Sequence, residues 1–248
     1  MTTPLWIASA TCVMTLSGGL LALRMQAHRA LVLAFCAGAL VAGALMDVLP
    51  DALQLLEDTH SHFHHHHLLL TCALGFLCFY LFEHAAHHRD HDETQDHPPH
   101  YNHTCQAGAW GAAGIGVHSF LDGVAIGGAF QAGAEMGWVV AVAVLLHKVA
   151  DGASTVGVML GTRHSLKATL VMLSVTALAP LAGIAFQSVL ILSIPVLALI
   201  LGWFAGVFLY LGASSLLPAA HEADHSRWLP IVTLLGVAFI YLAQQLAE

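Results

Sequence analysis

GAWGAAGIGVHSFLDGVAIGGAFQ (108–131) and GWVVAVAVLLHKVADGASTVGVML (137–160) decide the architecture of this chain. Each run exceeds the about 20 apolar residues that a membrane-spanning helix needs. Each also carries a polar hexamer at its middle, HSFLDG (118–123) in the first and HKVADG (147–152) in the second. Asp122, Asp151 and Lys148 at that depth would cost about 3 kcal/mol each, about 9 kcal/mol together, if they faced lipid unpaired. A chain does not carry that cost idly. Residues four apart share a helix face, so His118 points with Asp122 and His147 with Asp151. Two imidazoles and two carboxylates suit a borderline divalent ion such as zinc, which takes nitrogen and oxygen ligands in a tetrahedron. Gly123, Gly127 and Gly128 on the first run, with Gly152 and Gly157 on the second, let two helices approach closely enough to share one ion. The plainer reading is a buried network in which Lys148 pairs with Asp122 or Asp151. Duplication of the hexamer exceeds what such a network requires.

Composition extends this reading to the whole chain. Of 248 residues, 58% are hydrophobic and 9% are charged, against about 25% charged in a soluble domain. Together with a mean hydropathy of +0.76, this excludes water-soluble nucleotide-binding folds and nucleic-acid modules, and makes the lipid bilayer the surrounding partner. The predicted fold is an all-α integral membrane protein with eight transmembrane helices at about 4–23, 30–50, 67–83, 108–131, 137–160, 168–187, 190–216 and 229–246. Residues 1–248 form a single transmembrane domain on this reading. The first span lacks a preceding basic residue and is expected to stay as a helix rather than be cleaved. Arg24, Arg29, Arg89, Arg163, Lys167 and Arg227 all follow odd-numbered spans, so the positive-inside rule puts those connections in the cytoplasm and both termini outside.

Segments resemble each other in pairs. FCAGALVAGALMDVLPDAL (35–53) matches FAGVFLYLGASSLLPAAHEAD (204–224) in a small-residue run ending in Leu-Pro, on helices 2 and 7. The two hexamers form the other pair, on helices 4 and 5. Similar sequence in helices of opposite direction predicts a 3+2+3 inverted-repeat bundle, an architecture that places a binding site near the membrane midplane.

HSFLDGVAIG and LLHKVADG resemble the fourth- and fifth-helix signatures of the ZIP (ZRT/IRT-like) family of divalent metal transporters, and the likeness extends over nearly the whole chain. It implies that His118, Asp122, His147 and Asp151 bind a transported ion midway through the membrane, with passage into the cytoplasm. Family members with a two-metal site usually show Asn after the first histidine, an acid or amide after the second, and an acid before the proline of helix 6. Here Ser119, Lys148 and Ala179 stand there, the last before Pro180, so the second site is expected to be absent. Lys148, with Ser119, then tunes the charge of the remaining site.

Asp47 and Asp51, one turn apart near the outer end of helix 2, are candidate entrance residues. His221, Glu222 and His225 in HEADH, with both histidines on one face, are candidates for a cytoplasmic exit. Nineteen histidines crowd the chain. Many lie in an outer loop (57–67: His60, His62, His64 to His67) and in a cytoplasmic loop (84–105), which read as metal-retaining and disordered by composition. Cys12, Cys36, Cys72, Cys78 and Cys105 form no CxxC pair and predict no disulfide framework. The expected cargo is Zn2+, with Cd2+, Fe2+, Mn2+ and Co2+ as alternatives, and no catalytic cofactor. The chain reads as a transporter and not an enzyme. An intramembrane zinc hydrolase is the rival, opposed by the lack of HExxH and by the inverted duplication. A non-transporting metal sensor or store is the other. Glycine- and alanine-rich faces serve internal packing and a homodimer alike. The compact chain without targeting extensions is expected in a bacterial-type inner membrane.

Overall fold

The computed structural model describes residues 2–58, 64–89, 103–162, 164–187 and 194–247. His60 and His62 of the outer loop, residues 90–102 of the cytoplasmic loop and Arg163 lie outside the described residues. All regular structure among the described residues is helical, and eight helices are long and apolar enough to cross a membrane. They are α1 (Thr2–Arg24), α2 (Arg29–Gly43, continuing through Ala44–Val48 and Leu49–Asp58), α3 (His65–Arg89), α4 (His103–Ala132), α5 (Ala134–Gly161), α6 (Leu166–Gln187), α7 (Ile194–Tyr210, continuing through Leu211–Leu216 and Leu217–Ala223) and α8 (Leu229–Ala247). Described helices run into both predicted loop segments: α2 reaches Asp58 and α3 starts at His65 in the outer one, and α3 reaches Arg89 and α4 starts at His103 in the cytoplasmic one. The cysteines Cys12, Cys36, Cys72 and Cys78 are free thiols.

The likeness between helices 2 and 7 is structural as well as sequential. In each, an α-helix passes into a π-helical turn just before Leu-Pro, at Ala44–Val48 ahead of Pro50 and at Leu211–Leu216 ahead of Pro218. The amide of Leu49 reaches back to the carbonyl of Ala44, and that of Leu217 to Gly212. Proline supplies the cause: it has no N–H to donate to the fourth carbonyl behind it and its ring crowds that carbonyl, so the preceding turn widens.

Packing follows the same exchange of halves. Helices α1 and α5 pair as α6 and α4 do, and α2 pairs with α8 as α7 does with α3. Every one of these crossings is a reciprocal glycine contact with a three-residue step. A Cβ on Gly152 would strike the Thr15 carbonyl while one on Gly18 would strike that of Val149. In α4 and α6, Gly123 faces the Pro180 carbonyl and Gly183 faces that of Phe120. Gly38 with Thr233 and Gly236 with Phe35 join α2 to α8; Gly75 with Trp203 and Gly206 with Cys72 join α3 to α7. Close backbone approach substitutes for the hydrophobic effect, which gives helices no reason to associate within lipid. The glycines at these crossings are thus used inside the bundle.

Exposure completes the correspondence. The share of each span buried within the bundle is 67% for both α2 and α7, and 33% for both α1 and α6. Helices α2, α4, α5 and α7 form the interior. The outer helices present large apolar side chains such as Trp6, Leu234 and Leu246 outward, which is where a lipid-facing helix needs them.

Candidate metal site

Helices α4 and α5 pack directly on each other at the level of the two hexamers, but not through the glycines the sequence pointed to: Gly123, Gly127 and Gly128 face α6, Gly152 faces α1 and Gly157 faces Cys36 of α2. His118, Asp122, His147 and Asp151 are all buried, and a set of one ligand atom from each lies within 4.8 Å of one another. His118 Nε2 is 3.5 Å from Asp122 Oδ1, and His147 Nε2 is 3.6 Å from Asp122 Oδ2. Tetrahedral zinc with bonds of about 2.0–2.1 Å separates its ligand atoms by about 3.3 Å, so the set need only draw together slightly to enclose an ion. A pocket of about 20 Å³ lies against His118, His147, Asp47 and Asp151, space for one ion or one water. The Phe208 ring stands edge-on to His118 with centroids 4.9 Å apart and closes one side.

Lys148 has no exposed surface. Its ammonium donates to Ser119 Oγ at 2.8 Å, to Asp151 Oδ2 at 2.6 Å and to Asp122 Oδ2. All three of its donors are used, which is how a buried ammonium becomes tolerable. The plainer network reading is therefore real for Lys148. It does not account for the imidazoles: Nδ1 of His118 and both nitrogens of His147 are buried without an aligned hydrogen bond among the described residues. Unsatisfied buried nitrogens beside carboxylates are the donor set a borderline metal ion takes.

Asp47 is part of this cluster rather than of an outer mouth. It is 4% exposed, its Oδ2 lies 3.1 Å from His147 Nδ1, and its Oδ1 accepts a hydrogen bond from Gln244 Nε2 of α8. Asp51, four residues on, is exposed. The π-helical turn beginning at Ala44 separates the two faces that a regular helix would have merged. Counting Asp47, Asp122 and Asp151 as −3 and Lys148 as +1 gives the site a formal charge of −2, which one divalent cation neutralises.

Toward the end where α2 begins and α5 and α7 finish, a cavity of about 780 Å³ opens, lined by His28, Arg29, Glu83, Glu222 and Asp224 among others. Val158 and Leu211 also line it, whereas Ser154 and Phe208 line the central pocket. One turn of α5, about 6 Å, thus separates pocket from cavity. Glu222 borders the cavity, and His221 and His225 are exposed nearby. The two histidines do not share a helix face as the sequence predicted, because α7 ends at Ala223 and Asp224 is extended. Sequence reading also passed over Ser154 and Gln244. Ser154 sits seven residues after His147, on the ligand face of α5, a spacing that was available as a signal; Gln244 is one of an adjacent pair of amides, Gln244 and Gln245, in an otherwise apolar span.

A family model for the ZIP Zinc transporter matches residues 3–111 and 108–242. Over 118 residues the chain is 34% identical to the Zinc transporter zipt-7.1 of Caenorhabditis briggsae, a stretch that is 45% of this chain and 30% of that protein. The chain thus matches less than a third of the length of that curated relative.

Proposed function

The chain belongs to the ZIP zinc transporter family, and from that premise we propose that it carries divalent metal ions, zinc foremost, across a membrane into the cytoplasm. The carrying observation is the buried convergence of His118, Asp122, His147 and Asp151 within 4.8 Å at the centre of the α4–α5 pair. These four residues are the ion's ligands on this reading, two nitrogens and two carboxylate oxygens. Lys148 holds one oxygen of Asp122 and one of Asp151. It occupies the place where a second cation would otherwise sit, so one ion passes at a time.

The 780 Å³ cavity serves as the cytoplasmic vestibule. Its rim carries Glu222, and the exposed His221 and His225 beside it offer ligands to a departing ion. Asp51 is the outer acid that draws cations in. Both termini lie outside, in keeping with the cations that follow odd-numbered helices, and a bacterial-type inner membrane is the compartment. The whole chain works as one transmembrane domain. Cadmium, iron, manganese and cobalt compete with zinc for the same donors. No step of this function breaks a covalent bond in a substrate.

The experiment is zinc uptake into liposomes that hold a trapped zinc indicator, with the wild type, His147→Ala, and a variant whose outer-loop histidines are replaced. Uptake that is lost in His147→Ala and kept in the loop variant is the expected result. A wild type that binds zinc and moves no divalent ion would sink the proposal in favour of a sensor or an intramembrane hydrolase.

A further inference from the structure

The polar chain around His147 runs beyond the four proposed ligands to Asp47, which also lines the central pocket. Asp47 Oδ2 approaches the Nδ1 side of the ring at 3.1 Å, and Gln244 of α8 donates to the other oxygen of the same carboxylate. The opposite nitrogen, Nε2, lies 3.6 Å from Asp122 Oδ2, on the side of the other ligands. A neutral imidazole presents a lone pair at one nitrogen and a proton at the other, and the partner of the proton fixes both tautomer and ring plane. Asp47 stands where that partner must stand.

We propose that Asp47 is a positioning residue that accepts the Nδ1–H of His147, so that the ring turns its Nε2 lone pair to the transported ion, with Gln244 holding Asp47 in turn. This rests on the reading of His147 as an ion ligand. Neither ring nitrogen is yet aligned for a hydrogen bond; on this proposal the 3.1 Å contact becomes one when the ring turns toward an ion at Nε2. A carboxylate this deep in a span carries a cost of about 3 kcal/mol, and beside a neutral ring that cost returns nothing unless the ring's orientation matters. Asp47 also comes from α2 while the four ligands come from α4 and α5. It acts from behind the ligand, as the carboxylates behind metal-bound histidines do.

The test is a calorimetric titration with Zn2+ on the full chain, with the histidines of 60–67 and 84–103 replaced by asparagine so that the central site dominates. The variants are His147→Ala, Asp47→Ala, Asp47→Asn, Gln244→Leu and the Asp47→Ala/His147→Ala double. Loss of a carboxylate behind a ligating histidine weakens metal binding by about 10–100-fold, and that is the expected effect of Asp47→Ala. Asp47→Asn keeps the shape and an oxygen that accepts Nδ1–H, so it should retain part of the affinity; Gln244→Leu should fall between the two. In the double variant Asp47→Ala should add almost nothing to His147→Ala, because its effect passes through the ring. Equal losses in both backgrounds would show Asp47 to be a direct ligand and overturn the proposal, as would unchanged affinity in Asp47→Ala. If His147→Ala itself binds zinc normally, the ligand reading on which the proposal stands has failed instead. Asp47→Asn, close in shape to the native side chain, keeps the question open to decision if Asp47→Ala does not fold.

Discussion

Lys148 Nζ and Asp151 Oδ2 are 2.6 Å apart, three residues along one helix, with the same ammonium also bonded to Asp122. The site therefore carries a resident cation beside the place that the proposed ion would take. Lys148→Ala would change the formal charge of the cluster from −2 to −3 and take the ammonium from two buried carboxylates, leaving Asp122 only its contacts with His118 and His147. Removing one member of a buried pair costs about 3–5 kcal/mol, and a bound divalent ion would offset much of it. The variant should have a lower thermal midpoint without zinc, a larger rise in that midpoint with zinc, at least about tenfold tighter binding, equal to about 1.4 kcal/mol, and slower turnover. Unchanged affinity and unchanged uptake in Lys148→Ala would remove the charge-tuning role.

Gly152 and Gly38 occupy equivalent crossings, where an added Cβ meets the carbonyl of Thr15 or of Thr233. Each changed to alanine forces a helix pair apart and should destabilise the fold by about 1–3 kcal/mol. Only Gly152 adjoins a proposed ligand, Asp151. Zinc half-saturation of uptake should therefore rise in Gly152→Ala and hold in Gly38→Ala, when both are compared at equal amounts of folded protein.

Leu211 and Val158 stand between the central pocket and the wide cavity. With the five native cysteines replaced by serine, Ser154→Cys should react slowly with a membrane-impermeant thiol reagent applied at the cavity side. Adding Leu211→Ala should accelerate that reaction several-fold. The substitution leaves a hole costing about 2–5 kcal/mol, so labelling is best read below the melting transition.

The histidine-rich loops should matter to supply rather than to passage. Replacing the histidines of 60–67 and 84–103 by asparagine should leave the maximal zinc uptake rate within about twofold, because none of the four central residues is touched. A fall at low zinc concentration alone would fit the outer loop's role in raising the local ion concentration. Loss of the maximal rate would place a transport ligand in a loop.

Much of this arrangement was legible in the sequence because bilayer solvent leaves few options. Long apolar runs had to be helices, and charges within them had to meet; the duplicated hexamers then named their own partners. Asp47 escaped that logic through a single feature. Its pairing with Asp51 assumed a regular helix, and the π-helical turn before Pro50 turns Asp47 inward while Asp51 stays exposed. The same irregularity recurs before Pro218, so the matched Leu-Pro endings held the clue. The plainer alternative, in which Lys148 pairs with Asp122 or Asp151, describes the lysine itself, which bonds both along with Ser119, a three-way geometry that spacing on one helix cannot reveal. For His221 and His225, the end of α7 at Ala223 broke the shared face, and nothing in HEADH marks that stop.

The glycine crossings fall into two sets: α1 to α5 and α4 to α6 on one side, α2 to α8 and α3 to α7 on the other. Helices α4 and α5 also pack directly, so His118, Asp122, His147, Asp151 and Lys148 all sit in the first of these blocks, which α2 and α8 touch through α5. Asp47 and Gln244 belong to the other block. If the blocks slide past each other, the ion's cage travels whole, and the contact between Asp47 and His147 is the latch that must open. The strength of that latch, rather than the affinity of the cage, would then set how often the carrier departs.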